Sequence, residues 1–270
     1  MLYVVSTPIG NLADVTLRGL ETLRSVAVVL AEDTRHSRKL LDHFEIATPL
    51  VAHHEHNEAK TTPLFVGRLQ RGESMALITD AGTPLVSDPG ARLVAAAISA
   101  GVRVVPIPGA SAVLAALVAA GLPTERFTFF GFLDRKGKER QASIAAVCEL
   151  GHTAVLYESP NRLAATLADL DTSGLGARRA AVARELTKQF EEVRRGTVAE
   201  LARYYTDAPV RGEIVIVIEG ATNVAPTEDA LRDRARALRA GGASARDVMT
   251  ILTEELGAAR NVAYRLAHEP

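Results

Sequence analysis

Tryptophan is missing from this 270-residue chain, and aromatic residues make up only 4% of it. An aromatic platform for single-stranded nucleic acid is therefore not its main device. Cysteine occurs once, at Cys148, inside an apolar helical pattern. One thiol excludes a disulfide framework and a cysteine-built zinc site. Neither sign of charge dominates: 31 Lys and Arg stand against 32 Asp and Glu. The whole chain carries no nucleic-acid signature, although a local patch is compatible with that balance. No apolar run is long enough to span a bilayer, and Met1 opens directly into a strand-like run with no basic segment ahead of it. The expected location is the cytoplasm, with no membrane partner. Two phosphate-binding patterns are also missing. No G-x-G-x-x-G follows the first strand, and no G-x-x-x-x-G-K-[ST] occurs anywhere, which argues against ordinary dinucleotide and nucleoside-triphosphate sites.

What is present is alternation. Near-continuous apolar runs at residues 2–5, 28–31, 50–52, 75–78 and 102–107 read as buried strands. Between them lie helical patterns at residues 16–26, 34–43, 64–71 and 91–100, and another to residue 120. The repeat predicts an α/β fold with a parallel sheet covered by helices on both faces. After a break at residues 121–124 the texture changes. Strand-like runs at residues 127–132, 154–157, 180–183, 191–197 and 212–219 follow one another more closely, which predicts an antiparallel or mixed sheet. The expected division is an N-terminal α/β lobe over 1–120, a C-terminal α/β lobe over 121–221, and a linker with a small helical module over 222–270. On pattern alone that module is a helical appendage or a helix-turn-helix-like unit, with Arg232, Arg236 and Arg239 along one helix face.

The chain is organised around Thr79-Asp80-Ala81-Gly82-Thr83-Pro84-Leu85-Val86-Ser87-Asp88-Pro89-Gly90, which leaves a buried strand and enters a helix. Asp88 is the expected N-cap, with Pro89 at the first helical position. That leaves Asp80 to Pro84 unexplained by capping. Gly82 permits close backbone approach, and loops at the C-terminal ends of parallel strands bind ligands. Two more Pro/Gly loops end strands, at Pro8 to Gly10 and at Pro108 to Ala112. Together the three loops offer backbone groups rather than charges, which suits a polar, nearly neutral ligand. His53, His54 and His56 fit either metal ligation or a polar loop at a strand end. No second ligand cluster accompanies them, so no metal is expected. Glu158 and Glu185 follow strands and have Arg162 and Lys188 close by in sequence. Such pairs orient substrates or transfer protons, or are ordinary salt bridges. Basic segments at 135–140, 178–179 and 194–195 are solvated loops or, on a shared face, a grip on phosphates.

Seven segments resemble one family. They are Ser6-Thr7-Pro8-Ile9-Gly10-Asn11-Leu12, Ala31-Glu32-Asp33-Thr34-Arg35, His54-Glu55-His56-Asn57-Glu58, the central loop, Pro108-Gly109-Ala110-Ser111-Ala112, Tyr157-Glu158-Ser159-Pro160 and Arg184-Glu185-Leu186-Thr187-Lys188. In order and over the whole chain they are similar to the ribosomal RNA small subunit methyltransferase I family of the tetrapyrrole-methylase superfamily. The resemblance implies a bilobal, homodimeric class III methyltransferase with S-adenosylmethionine in the cleft between lobes. It implies methylation of the ribose 2′-hydroxyl of a decoding-centre cytidine in 16S rRNA, within the 30S subunit, and a helix-turn-helix-like C-terminal module. Carried over, the cofactor contacts are Pro8, Ile9, Asp80, Gly82, Thr83, Val86, Ser111, Ala112, Tyr157, Ala183 and Gly212, with Asp80 organising its loop. Glu32, Glu185 and Lys188 are the catalytic candidates. Asp134, Asn161, Gln189 and Phe190 depart from the family pattern. A tetrapyrrole C-methyltransferase and a non-catalytic 30S-binding assembly factor are the alternative readings.

Overall fold

Branched aliphatic residues form five short strands: β1 (Leu2–Val5), β2 (Val28–Ala31), β3 (Leu50–Ala52), β4 (Met75–Ile78) and β5 (Val104–Ile107). In the computed structural model, which describes residues 1–207, 210–221 and 228–269 (backbone alone for Asp207 and Glu255), they make one sheet. Its order is β3-β2-β4-β1-β5, and every pair is parallel. All residues of β2 and β4 are buried, which is why these strands show no polar alternation. Helices α1 (Leu17–Ser25) and α2 (Thr34–His43) bury Leu20, Leu23, Leu40 and Leu41 against one face. Helices α3 (Glu58–Gln70) and α4 (Ala91–Ser99) bury Phe65, Leu69, Leu93 and Ala97 against the other.

Two helix starts differ from the sequence expectation. Helix α3 begins at Glu58 rather than at residue 64 and carries Pro63 inside it. A proline normally reads as a break; Pro63 lies in the second turn, where its missing N–H forfeits one intrahelical bond and the helix continues through it. Helix α4 begins at Ala91, with Gly90 as its N-cap at φ 116 and no side-chain cap. Asp88 is therefore not the cap, and Pro89 is not the first helical residue. A Cβ at position 90 would come within 2.6 Å of Leu77, so a glycine is required both for the turn and for packing on β4.

The second sheet contains β6 (Phe127–Phe132), β7 (Thr153–Glu158), β8 (Arg179–Arg184), β9 (Glu192–Thr197) and β10 (Ile214–Ile218), ordered β6-β7-β10-β8-β9. Only β6 and β7 are parallel; the sheet is mixed. Helix α5 (Ala112–Ala120) lays Val113, Ala116 and Leu117 on one face, and Ile9 joins that core from the first lobe. Helices α6 (Lys138–Glu149), α7 (Leu163–Leu170) and α8 (Val198–Asp207) cover the other face.

The chain divides into two compact units, Met1–Gly220, which holds both sheets, and Ala221–Pro270. The linker expected at residues 222–227 lies outside the described residues. In the second unit, α9 (Glu228–Ala240), α10 (Ala245–Thr250), which runs on through a wider turn at Ile251–Glu255, and α11 (Arg260–His268) enclose Leu231, Ala235, Val248, Leu252 and Leu266. Ser244 and Asp247 form a capping box at the start of α10. The arginine face expected on α9 is largely spent within this unit. Arg232 pairs with Glu228, Asp229 and Glu269, and Arg239 donates to the Glu269 carbonyl.

Candidate functional site

In the first sheet, β1 connects toward β2 on one side, while β4 connects to β5 on the other. The crevice between the C-terminal ends of β1 and β4 is thus the switch point of the sheet, where open α/β sheets bind ligands. The loops there are tied together by hydrogen bonds. Thr7 and Gly82 exchange backbone bonds of 2.8 and 3.1 Å, and the Thr7 hydroxyl donates to the Thr79 carbonyl at 3.1 Å. Ser6 and Thr83 hydroxyls share a bond of 3.0 Å, and Thr83 also reaches the Ala110 carbonyl at 3.3 Å. The Asp33 N–H donates to Asp80 Oδ1 at 3.2 Å, and the Thr79 hydroxyl to Glu32 Oε2 at 2.9 Å. Four loops distant in sequence are thereby held as one surface. The central loop has left-handed backbone at Leu85 and Ser87 as well as at Gly82 and Gly90. Such strain persists only where its surroundings enforce it, and it gathers at ligand sites.

Across from this surface stand the end of β7 and the start of β10, which are neighbours because Ile214 pairs with Glu158. A cavity of about 440 Å³ lies between. Among the described residues five carboxylates line it, those of Glu32, Asp80, Asp88, Glu158 and Glu213, and no Lys, Arg or His does. Two of them are compensated. Glu158 accepts from Thr166 at 2.5 Å and from its neighbour's N–H at 2.7 Å, with Arg162 at 3.4 Å, while Glu213 pairs with Lys188 at 3.0 Å. Among the described residues, Glu32, Asp80 and Asp88 have no ion-pair partner. Burial, reinforced by the charges of Glu32 and Asp80 and opposed by the Thr79 hydroxyl, pushes the Asp88 carboxyl up to about 6. Burial, with Asp88 and Glu213 adding to it, pushes the Tyr157 phenol up to about 12. The site is therefore acidic, contrary to the neutral character expected from its backbone-rich loops. It suits a ligand that brings a positive charge.

The cavity brings together Ile9, Glu32, Asp80, Gly82, Thr83 and Val86 with Ser111, Ala112, Tyr157 and Gly212. Pro8 faces an adjoining groove instead, and Ala183 is fully buried beneath α5. Glu185 and Lys188 also stand off the cavity wall. They pair at 2.7 Å, and the Glu185 carboxylate accepts the Glu213 N–H at 3.0 Å. The Lys188 stem packs so closely that a Cβ on Gly10 would come within 2.4 Å of it, and one on Gly212 within 2.3 Å of the Glu185 carboxyl. This pair braces the first loop of one lobe against the other. Hydrogen bonding to Lys188 holds the Glu185 carboxyl below its usual range; burial opposes the Lys188 charge, but its two carboxylate partners hold it above its own. The reading from sequence missed Asp88 and Glu213. The first was masked by its resemblance to a cap. The second sits where an antiparallel strand enters the sheet, a place that strand-end reasoning on parallel units ignores.

Most of the basic segments are used internally. Arg178 donates to the Val147 carbonyl and Arg179 pairs with Glu219. Arg194 stacks on Tyr204 at 3.7 Å, and Arg195 donates to the Ala119 and Ala120 carbonyls that end α5. His53 is buried, bonded to Thr61 at 2.9 Å and edge-on to Phe65, while the rings of His54 and His56 lie 6.0 Å apart. Among the described residues no three His, Cys, Asp or Glu side chains form a group that could hold a metal.

Residues 1–202 match the family model for tetrapyrrole (corrin/porphyrin) methylases. Over its full length the chain is 46% identical to 98% of a Synechocystis sp. protein named ribosomal RNA small subunit methyltransferase I. Over 81% of its length it is 52% identical to 78% of the Pseudomonas aeruginosa protein of that name. The chain belongs to the ribosomal RNA small subunit methyltransferase I family of tetrapyrrole methylases. Solved structures show the same fold at low identity. Diphthine synthase matches with a TM-score of 0.62 at 17% identity, over 82% of this chain and 90% of that one. Uroporphyrin-III C-methyltransferase from Thermus thermophilus, complexed with S-adenyl homocysteine, matches with a TM-score of 0.56 at 18% identity, over 81% and 96%.

Proposed function

We propose that the acidic cavity binds S-adenosylmethionine and that the enzyme transfers its methyl group to the ribose 2′-hydroxyl of a decoding-centre cytidine in 16S rRNA of the 30S subunit. The observation that carries this reading is a switch-point cavity lined, among the described residues, by five carboxylates and no cation. S-adenosylmethionine bears a sulfonium and an ammonium against one carboxylate, so its net positive charge is favoured there, and the spent thioether is favoured less. When bound, the group supplies an electrophilic methyl carbon. The protein holds the cofactor on the fixed loops at Ile9, Gly82, Thr83 and Ser111, and aligns the attacking oxygen. A ribose hydroxyl is a weak acid, so a carboxylate at the cavity wall assists by taking its proton. The candidates for this role are Glu32, hydrogen-bonded by Thr79, and Asp88, both on the cavity wall; Glu185 and Lys188 act as the brace described above.

The same reading takes the enzyme as a cytoplasmic homodimer. Leu114 and Val118, exposed one turn apart on α5, support a second copy there, and no helix among the described residues is long and apolar enough to cross a membrane. The decisive test supplies labelled S-adenosylmethionine with 30S subunits or with a porphyrinoid, then maps any ribose methylation in 16S rRNA. Label in the porphyrinoid alone makes the chain a tetrapyrrole C-methyltransferase. Tight 30S binding without transfer makes it a non-catalytic assembly factor.

A further inference from the structure

A second groove opens off the cavity and shares Phe132 and Ser159 with it. Strand β6 has a register break between Phe129 and Phe132, with Gly131 in the left-handed region at φ 64. Such a bulge re-aims the following side chain. Phe132 emerges 55% exposed at the rim, although it ends a ladder of rings: Phe129 and Tyr157 lie 4.8 Å apart, Tyr157 and Phe132 5.4 Å. An exposed ring backed by two others is a ready stacking surface.

Beyond Phe132 the chain turns into the basic loop, and its base is pinned. Arg140, itself buried, donates to the Asp134 carbonyl at 3.0 Å and pairs with Asp169 at 2.6 Å. Arg162 donates to the Leu133 carbonyl at 2.6 Å and to the Asp134 carbonyl at 3.2 Å. Arg162 also contacts Glu158, so the carboxylate on the cavity wall and the root of the loop are fixed through one guanidinium. The tip is the reverse. Arg135, Lys136 and Lys138 are exposed, and among the described residues they make no hydrogen bond or ion pair. The Asn161 amide, on the groove wall, is likewise uncommitted. The segments at 178–179 and 194–195 spend their cations inside the protein, so this tip is distinct among the basic runs of the first unit.

Resting on the proposed methyl transfer, we infer that this groove receives the RNA: Arg135, Lys136 and Lys138 grip phosphates, Phe132 stacks on a base beside the target ribose, and the Asn161 amide meets a base edge. An exposed ring, a free amide and free cations are the complement of an unstacked single-stranded nucleotide. Charge separates the tasks. The polyanion is held by cations outside, and the carboxylate-lined cavity admits only its neutral sugar.

The test compares the unaltered protein with the triple variant R135E/K136E/K138E, and with Phe132→Ala and Phe132→Tyr. Affinity for S-adenosylhomocysteine is read by calorimetry, and affinity for 30S subunits by filter binding over a range of salt. The triple variant keeps its S-adenosylhomocysteine affinity. Its 30S binding falls, and the log–log salt slope becomes shallower by about 2. Phe132→Ala weakens 30S binding roughly tenfold, and Phe132→Tyr restores it. Unchanged 30S affinity and slope in the triple variant overturn the inference, and so does loss of S-adenosylhomocysteine binding along with it, which would make the loop structural. Binding and transfer are read separately. An unaltered protein that binds 30S subunits but transfers no methyl group refutes the proposed reaction, while the groove is still judged by the binding ratios.

Discussion

Replacing Asp88 by Asn should make the free protein more stable at neutral and alkaline pH while impairing its ligand site. In the folded chain the carboxyl is shifted from 3.8 to about 6, chiefly by burial and then by the like charges of Glu32 and Asp80. Between those two values the folded state therefore binds more protons than the unfolded state. Stability falls as pH rises through this window, and the full penalty is in force above about pH 6. The shift corresponds to about 3 kcal/mol. The carboxyl is partly open to water, and screening lowers the figure to roughly 1–2 kcal/mol. Asparagine does not ionise and can still bond the Thr79 hydroxyl, so it removes the penalty and little else. Urea unfolding at pH 8 should show the variant more stable by that amount, and at pH 4.5 the gain should shrink to roughly half of its value. The same variant loses one negative charge from the cavity, so S-adenosylmethionine affinity should drop more than that for S-adenosylhomocysteine, whose sulfur is neutral. Equal gains at both pH values, or no gain at pH 8, would refute the reasoning.

Gly82→Val should remove S-adenosylmethionine binding before it removes the fold. Position 82 is held at φ 82 by its two bonds with Thr7, and a Cβ there meets Ile9 at 3.4 Å, so a branched side chain costs about 1–3 kcal/mol of strain in a loop that cannot relax. A variant with native circular dichroism that titrates the cofactor normally would contradict this. Lys188→Ala leaves the Glu185 and Glu213 carboxylates facing each other without their shared cation. Thermal unfolding should come several degrees earlier, with S-adenosylhomocysteine affinity retained. An unchanged midpoint with methyl transfer abolished would return the pair to a direct catalytic role.

The first lobe was legible because a parallel sheet covered on both faces writes its strands as unbroken apolar runs. The runs at β2 and β4, buried throughout, are the clearest cases. The loops that line its cavity were visible through Gly82, whose positive φ the turn requires. The acidity of the cavity was not, because Glu32, Asp80, Asp88, Glu158 and Glu213 come from four separate stretches, and only the approach of β10 to β7 completes the set. Asp88 was hidden by a local pattern that is physically sound elsewhere, since Ser-Asp-Pro is a good helix start. Tertiary packing overrode it by placing Gly90 against Leu77 and starting α4 two residues later. The fate of the basic segments was illegible for a related reason. Arg195 and Arg135 differ only in whether a helix end, here Ala119 and Ala120, lies within reach.

If ribose methylation occurs in this cavity as proposed, the opposed charges of cavity and groove also constrain the form in which RNA arrives. A phosphate pushed toward Glu32, Asp80 and Asp88 meets uncompensated carboxylates, so a continuous backbone cannot follow the sugar inward. The target nucleotide must be splayed from its neighbours, with flanking phosphates left at Arg135, Lys136 and Lys138. Unstacking costs a few kcal/mol when the nucleotide is paired and less when it is already free. The exposed Phe132 ring, backed by Tyr157 and Phe129, offsets that cost by offering a base a new surface at the cavity mouth. On the proposed reading such a site gains selectivity from the RNA structure itself: a target nucleotide locked in a duplex pays the unstacking cost in full, whereas one in an open loop reaches the same cavity with little penalty.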